Sequence, residues 1–375
     1  MPNLSRSIKT FFVFAVLFFT YHPSFAQSDY DVTEDGVASV NGYVDAYYAH
    51  YTDSVGLNAD QKFPFVNPQS DKPGLNMAMI SARYEGEGTR GVIALQYGDI
   101  PRTQWSSQLN PVMEAHVGLR IVNGLWIDGG LFRSHMATER LLPRENFCSS
   151  ASVNRVYESH YESGFRLEFL PGEGDFSMDA YLLTGYNMFG DNNRKKSFGF
   201  STMYRWDEEN GKAGYNLYYG DDTPEAADTI NHLRVQHSAY VNFNTFFGMR
   251  VQLGGDYATQ RNSSLAAADQ KAKMYGGTLN LKYTVFDRFS VYGRGEIFHD
   301  RHGFVSTRFI DSKGNITGYK MWGMTGGVEF KPTGNSYIRV EYRRIIMDKD
   351  QKIFYWDGKQ VSTRNEIGFN LGLQF

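Results

Sequence analysis

The chain has 375 residues, a formal net charge of −3, 15% aromatic residues, 38 glycines and one cysteine. The several apolar runs of about 20 residues that a polytopic helical membrane protein needs are absent, a lone cysteine excludes an internal disulfide scaffold, the aromatic content argues against disorder, and the acidic balance gives no reason to expect nucleic acid as a partner. A soluble all-β protein and a membrane protein that hides its hydropathy by alternation both remain, and the mean hydropathy of −0.45 does not separate them.

In chain order, residues 1–26 read as a cleaved signal peptide. Arg6 and Lys9 supply the positive start, Phe11 to Phe19 form an apolar core too short to span a bilayer, and Ser24 and Ala26 set the cleavage site. Residues 27–37 are expected as a periplasmic lead, and 38–375 as a single domain. From there the dominant signal is alternation with period 2, the mark of strands whose side chains point to opposite faces. About sixteen strands are predicted, with fourteen as the alternative. They cover roughly 38–51, 75–86, 89–99, 111–123, 124–135, 158–171, 175–188 and 196–207, then 212–221, 230–244, 246–260, 272–286, 288–299, 317–331, 335–348 and 363–375. The last is the clearest: Ile367, Phe369, Leu371, Leu373 and Phe375 alternate with Glu366, Gly368, Asn370, Gly372 and Gln374. Short turns rich in Gly, Asn and Pro alternate with long loops. Strands of about a dozen residues, one face nearly free of charge, and strict long–short alternation predict an all-β transmembrane antiparallel up-and-down barrel with short periplasmic turns. In lipid every backbone polar group must be paired, so the sheet has to close and the charged face has to line its lumen.

Phe375, closing an alternating apolar strand, resembles the C-terminal assembly signal of outer-membrane barrels, which implies the barrel-assembly machinery as a partner. A second resemblance rests on Leu125-Trp126-Ile127-Asp128-Gly129-Gly130-Leu131-Phe132-Arg133-Ser134-His135-Met136, followed by Glu139, Asn146, Ser149, Tyr157 and Gly164, and on the opening strand Ser39 to Tyr48. These segments resemble the OmpL-like beta-barrel porin family over most of the exported chain, with Ala137-Thr138 standing where the family carries glycine. The resemblance implies a passive porin in the outer membrane of a Gram-negative bacterium. It does not name a solute.

The predicted inward charges are Asp45, Arg83, Glu114, Arg120, Asp128, Glu162, Arg166, Glu168 and Asp179 on the early strands. On the later strands they are Arg205, Arg234, Arg250, Asp256, Lys282, Arg294, Glu296, Glu329, Arg339, Glu341 and Arg343. The first group leans acidic and the second basic, so either a transverse field crosses the pore or neighbours such as Arg166/Glu168 and Arg294/Glu296 neutralise each other on the wall. By analogy with general porins, the loop at 136–157 is the candidate constriction, carrying Glu139, Arg140, Arg144 and Glu145. Catalytic and metal constellations are unsupported: Ser134-His135 as strand neighbours would face opposite ways, and His299 and His302 lack a ligand-type spacing. No cofactor or metal is expected. Asp221-Asp222 read as solvated acids, and Cys148 as a residue without a role. The function expected is passive diffusion of small hydrophilic solutes and ions across the lipid of the outer membrane, with assembly as a homotrimer as in many porins. The alternatives are a solute-specific channel, for instance for sugars met by inward Tyr181 and Tyr240, an outer-membrane hydrolase, or an adhesin with a blocked lumen.

Overall fold

The computed structural model describes residues 36–375, apart from 57, 64, 108, 137, 173–174, 207–209 and 225–229. The expected signal peptide, and all of the expected lead but its last two residues, lie outside the described residues. Twenty strands follow in order. The first half comprises β1 (Val37–Tyr51), β2 (Pro73–Glu85), β3 (Thr89–Tyr97), β4 (Val112–Val122), β5 (Leu125–Arg133), β6 (Tyr161–Phe169), β7 (Phe176–Leu183), β8 (Ser197–Trp206), β9 (Gly211–Gly220) and β10 (Arg234–Asn244). The second half comprises β11 (Met249–Gln260), β12 (Ala272–Phe286), β13 (Phe289–His299), β14 (Phe309–Ile310), β15 (Ile316–Thr317), β16 (Lys320–Phe330), β17 (Ser336–Met347), β18 (Phe354–Trp356), β19 (Lys359–Val361) and β20 (Thr363–Gln374).

Sixteen of them form one closed antiparallel barrel, each strand hydrogen-bonded to the next and β1 closing on β20. The sixteen-strand expectation therefore holds, and the alternative of fourteen does not. The other four make two small hairpins, β14–β15 and β18–β19, inside the long loops 300–319 and 348–362. Short helices at Asp99–Gln104 and Val153–Tyr157 also lie within long loops.

Register follows the alternation. Tyr342, Val340 and Ile338 of β17 stand opposite Ile367, Phe369 and Leu371 of β20, and these apolar residues point outward. Ile367 is 52% exposed, whereas Asn370, on the other face of the same strand, is 0% exposed. The outward face is thus the lipid face and the inward face the polar one. Closure removes the sheet edges that lipid could not solvate.

The inner space is not empty. At the long-loop end, Phe63 of the loop 52–72 packs edge-on against Tyr319 at 5.3 Å and Phe354 at 6.3 Å, over the inward Phe298, Met321 and Met347. A second apolar cluster joins Phe65, Trp105, Leu141 and Leu142 to the inward Tyr43, Met77 and Met79. These contacts carry the long loops inward and set the frame for the polar site below them.

Candidate pore and its inserted loop

The loop 134–160, between β5 and β6, lies inside the barrel along the wall of β11 to β17. Wall side chains hold it through its backbone. The Arg339 guanidinium donates to the carbonyls of Pro143 at 2.9 Å, Asn146 at 3.0 Å and Cys148 at 3.2 Å. Glu341 accepts from the amides of Ser149 at 2.8 Å and Ser150 at 3.1 Å, and Glu296 from the amide of Val153 at 2.8 Å. Arg294 donates to the Ser150 carbonyl at 2.6 Å, Gln252 to the Thr138 carbonyl at 3.0 Å, and Asn154 to Asp256. Irregular backbone at membrane depth needs such partners, because lipid offers none and water is scarce beside a packed wall.

Arginine suits this task, since its planar fork reaches several acceptors at once and keeps its charge. The wall partners are themselves neutralised. Arg339 pairs with Glu329 at 2.7 Å and Lys282 with the same carboxylate at 2.6 Å. Arg294 meets Glu139 of the loop at 3.2 Å and Glu296 at 3.4 Å, and Arg343 meets Glu296 at 2.8 Å. On the far wall Arg90 bridges Asp128 and Glu168, the latter at 2.6 Å, while Arg166 meets Asp128 at 3.1 Å. The Arg166/Glu168 pairing anticipated from spacing gives way to Arg166–Asp128, because Asp128 stands directly opposite Arg166 in the register and so lies closer than a residue two apart on the same strand. Glu114 faces Arg133 at 3.6 Å, and Arg133 also holds Glu145 of the loop. Burial opposes the Glu145 charge, but Arg133, Arg140 and Arg144 hold its carboxyl below the usual carboxylate range.

The remaining residues singled out in the sequence fall elsewhere. Arg83 and Arg120 sit at the short-turn end, beside Glu85 at 3.5 Å and Glu87 at 3.2 Å. Asp179 accepts from Ser201 at 2.7 Å. Arg234 donates to Gln260 at 3.0 Å and lies 4.8 Å from the Tyr186 ring. Arg144 lies 4.9 Å from the Tyr43 ring, and Arg250 5.1 Å from the Phe147 ring. Arg140 and Arg250 face a polar cavity of about 350 Å³ between the loop tip and β8 to β11, lined also by Arg205, Lys212 and Tyr240. The field of two opposed half-walls therefore resolves mostly into local pairs, while Arg140 and Arg250 meet this cavity together with Glu145, which Arg133 holds.

Some side chains in these clusters were missed in the sequence. Arg90 shares the inward register of Val92, Ala94 and Gln96 on β3, so alternation alone marks it. Arg364 and Glu366 pair on β20. Arg133 carries no such mark, since it ends its strand and its partner Glu145 comes from the folded loop.

Two expectations change. Ser134 and His135 were expected on opposite faces, but β5 ends at Arg133 and both converge on Glu162. Ser134 Oγ donates to Glu162 at 2.8 Å and His135 Nδ1 lies 2.8 Å from it, while His135 Nε2 lies 3.0 Å from the Leu217 carbonyl. With both ring nitrogens against acceptors and Ser134 bonded to the acid, no serine–histidine proton transfer pair exists there. Asp221 and Asp222 are not simply solvated: Asp221 pairs with Lys195, and Asp222 accepts from Tyr218. His302 Nδ1 accepts from the Leu265 amide and His299 bonds Tyr275; among the described residues no cluster of three or more His, Cys, Asp or Glu is placed to hold a metal.

Cys148 is buried 3.9 Å from Asn280 of β12, and burial pushes its thiol well up. In the folded barrel it should resist maleimide at pH 7.5, while Glu341→Ala, which releases Ser149 and Ser150, should make it react. Equal labelling rates in the two proteins would contradict the pinned loop.

Among solved structures, the anion-selective porin from Comamonas acidovorans is similar over 91% of this chain and 100% of that chain, at 10% identity and a TM-score of 0.61. The outer membrane channel DcaP of Acinetobacter baumannii is similar over 91% and 97%, at 10% identity and a TM-score of 0.62. The trimer form of OmpT of Vibrio cholerae is similar over 91% and 99%, at 10% identity and a TM-score of 0.57. At such identities the likeness is one of fold. No curated protein sequence matches. The family model described as "Putative beta-barrel porin-2, OmpL-like" matches residues 38–375, the whole of the barrel but its first residue. The chain therefore belongs to the OmpL-like beta-barrel porin-2 family and is an outer-membrane porin.

Proposed function

We propose that the porin passes small hydrophilic solutes and ions by diffusion along the inner face of β8 to β11, beside the tip of the inserted loop, and that it prefers anions. One observation carries this reading: the charges on the loop-bearing wall are consumed in pairs, whereas the cavity beside β8 to β11 is met by Arg140 and Arg250. Cations on the wall of a low-dielectric pore attract anions and repel cations. Arg250 and Arg294, equivalent in the sequence, differ here: Arg250 faces the cavity while Arg294 is consumed by the loop.

The test is liposome swelling with sugars of graded size, together with reversal potentials in planar bilayers. Swelling should fall smoothly with sugar size, and Arg250→Glu should move the reversal potential toward cations. No swelling with any sugar would overturn the diffusion reading, and an unmoved reversal potential would overturn the assignment of Arg250. Tyr181, one of the two aromatics that suggested a sugar track, stacks on His135 at 4.5 Å and is buried, which favours general diffusion. The arrangement at Ser134, His135 and Glu162 supports a channel rather than a hydrolase. The reading further includes removal of residues 1–26 on export, a periplasmic lead over 27–37, Phe375 as the signal read by the barrel-assembly machinery, insertion into outer-membrane lipid, and a homotrimer.

A further inference from the structure

A second polar cavity lies on the same face of the sheet as the first, at the other end of the barrel. At the long-loop end, which is the outer end of an outer-membrane barrel, a space of about 360 Å³ is lined by Asp222, Arg234, Gln260, Phe304 and Arg308 among others. At the short-turn end lies the cavity of Arg250, which Tyr240 and Asn242 also line. Arg234, Tyr240 and Asn242 belong to β10 and are an even number of residues apart, so their side chains share the inward face. Along that strand the inward Gln236 and Ser238 separate the two cavities, and the stretch from Arg234 to Tyr240 covers roughly 20 Å.

Register builds two layers in this gap. Gln236 stands between Tyr218 of β9 and Ala258 of β11, and Ser238 between Asn216 and Asp256. Gln236, Ser238, Asn216 and Asp256 are all buried. Yet Gln236 Nε2 and Oε1, Asn216 Nδ2, Ser238 Oγ and Asp256 Oδ1 make no well-formed hydrogen bond among the described residues. Buried polar atoms are costly unless something bonds them. One such atom is ordinary, but a run of them in adjoining layers between two polar cavities marks a path for water and hydrogen-bonding solutes rather than a packed core. Donors and acceptors stand side by side there, so the layers can replace part of a solute's hydration shell.

One side chain closes this path toward the outside. Tyr186, in the loop between β7 and β8, sits beside Gln236, meets the Tyr218 ring edge-on at 5.1 Å and has the Arg234 guanidinium 4.8 Å from its own ring. Its hydroxyl donates to the Tyr157 carbonyl of the inserted loop at 3.0 Å. The backbone beneath it is fastened separately: Asp222 accepts from the Tyr186 amide at 3.1 Å, and Asn187 accepts from the His160 amide at 2.5 Å. A rotation of the side chain alone therefore frees the ring while the loop stays in place.

We propose that Gln236, Ser238 and Asn216 form a second narrowing of the channel, separate from the loop tip at Arg140 to Phe147, and that the Tyr186 ring is its gate toward the outer cavity. The proposal rests on the diffusion reading above and adds to it the route by which solutes reach the Arg250 cavity from outside.

Two measurements in planar bilayers test it. Tyr186→Ala keeps the backbone bonds and removes the ring, so the time-averaged current should rise by about twofold, because a constriction limits the flow through a channel. Tyr186→Phe keeps the ring and loses the hydroxyl bond, and its current should fall between those of the parent and Tyr186→Ala. For the narrowing, Ser238→Cys should lose most of its current on treatment with 2-sulfonatoethyl methanethiosulfonate, whereas the parent, whose Cys148 is buried, should lose none. A conducting parent matched in current by Tyr186→Ala would overturn the gate, and an unimpaired current through treated Ser238→Cys would overturn the narrowing; both results leave the diffusion reading standing. A parent and variants that all fail to conduct would overturn the two readings together.

Discussion

A porin lacking residues 140–150 is expected to conduct more current than the intact protein, by roughly two- to threefold in symmetric salt, because a constriction limits the flow through a channel. The ends of the deleted stretch are held close together, because Glu139 accepts from the Ser152 amide at 2.7 Å. A short join therefore leaves Glu139, its contact with Arg294, and the helix Val153–Tyr157 in place. What is lost is the loop tip that narrows the cavity beside Arg250, together with the loop partners of Arg339 and Glu341. Single-channel recording in planar bilayers measures the change. An unaltered conductance, with the deleted protein still folded, would show that the tip does not limit the current.

Arg339→Ala should be the most damaging single substitution in the barrel wall. Arg339 is buried against Glu329 at 2.7 Å, spans three loop carbonyls, and lies 4.4 Å from the Tyr337 ring. Its removal leaves Glu329 with Lys282 as its remaining close partner and strips the donors from Pro143, Asn146 and Cys148. Breaking a buried pair by deleting one member costs about 3–5 kcal/mol. The expected outcome is a lower temperature at which the folded band converts to the unfolded one in detergent gels. Arg339→Lys should fall between the two, since it keeps the charge but loses the fork. A variant as heat-resistant as the parent would mean that the loop is held from elsewhere.

Much of the fold was legible because a membrane barrel writes its register into every second residue. Ile367, Phe369, Leu371 and Leu373 were assigned to lipid from alternation alone and lie there, and the order of short turns and long loops fits the sixteen-strand closure. Legibility stops where period 2 stops. Ser134 and His135 were read as strand residues, but β5 ends one residue earlier and they fold onto one carboxylate. The helix Asp99–Gln104 and the hairpins β14–β15 and β18–β19 are built from segments too short to show a period.

Charge was harder still. Alternation places Arg166, Glu168, Arg250 and Arg294 on one face, but it cannot say which are neutralised. Arg166 is matched by Asp128 from an adjacent strand, and Arg294 by Glu139 from a loop 155 residues away in sequence. The sequence by itself determined the closed sheet, its lipid and lumen faces and its orientation, because lipid forces every strand to obey one rule. Only the tertiary structure decided which charges still face open space, because that depends on where an irregular loop is pinned. Its pinning rests on Arg339, Glu341, Glu296 and Arg294 meeting backbone groups that no side-chain pattern records.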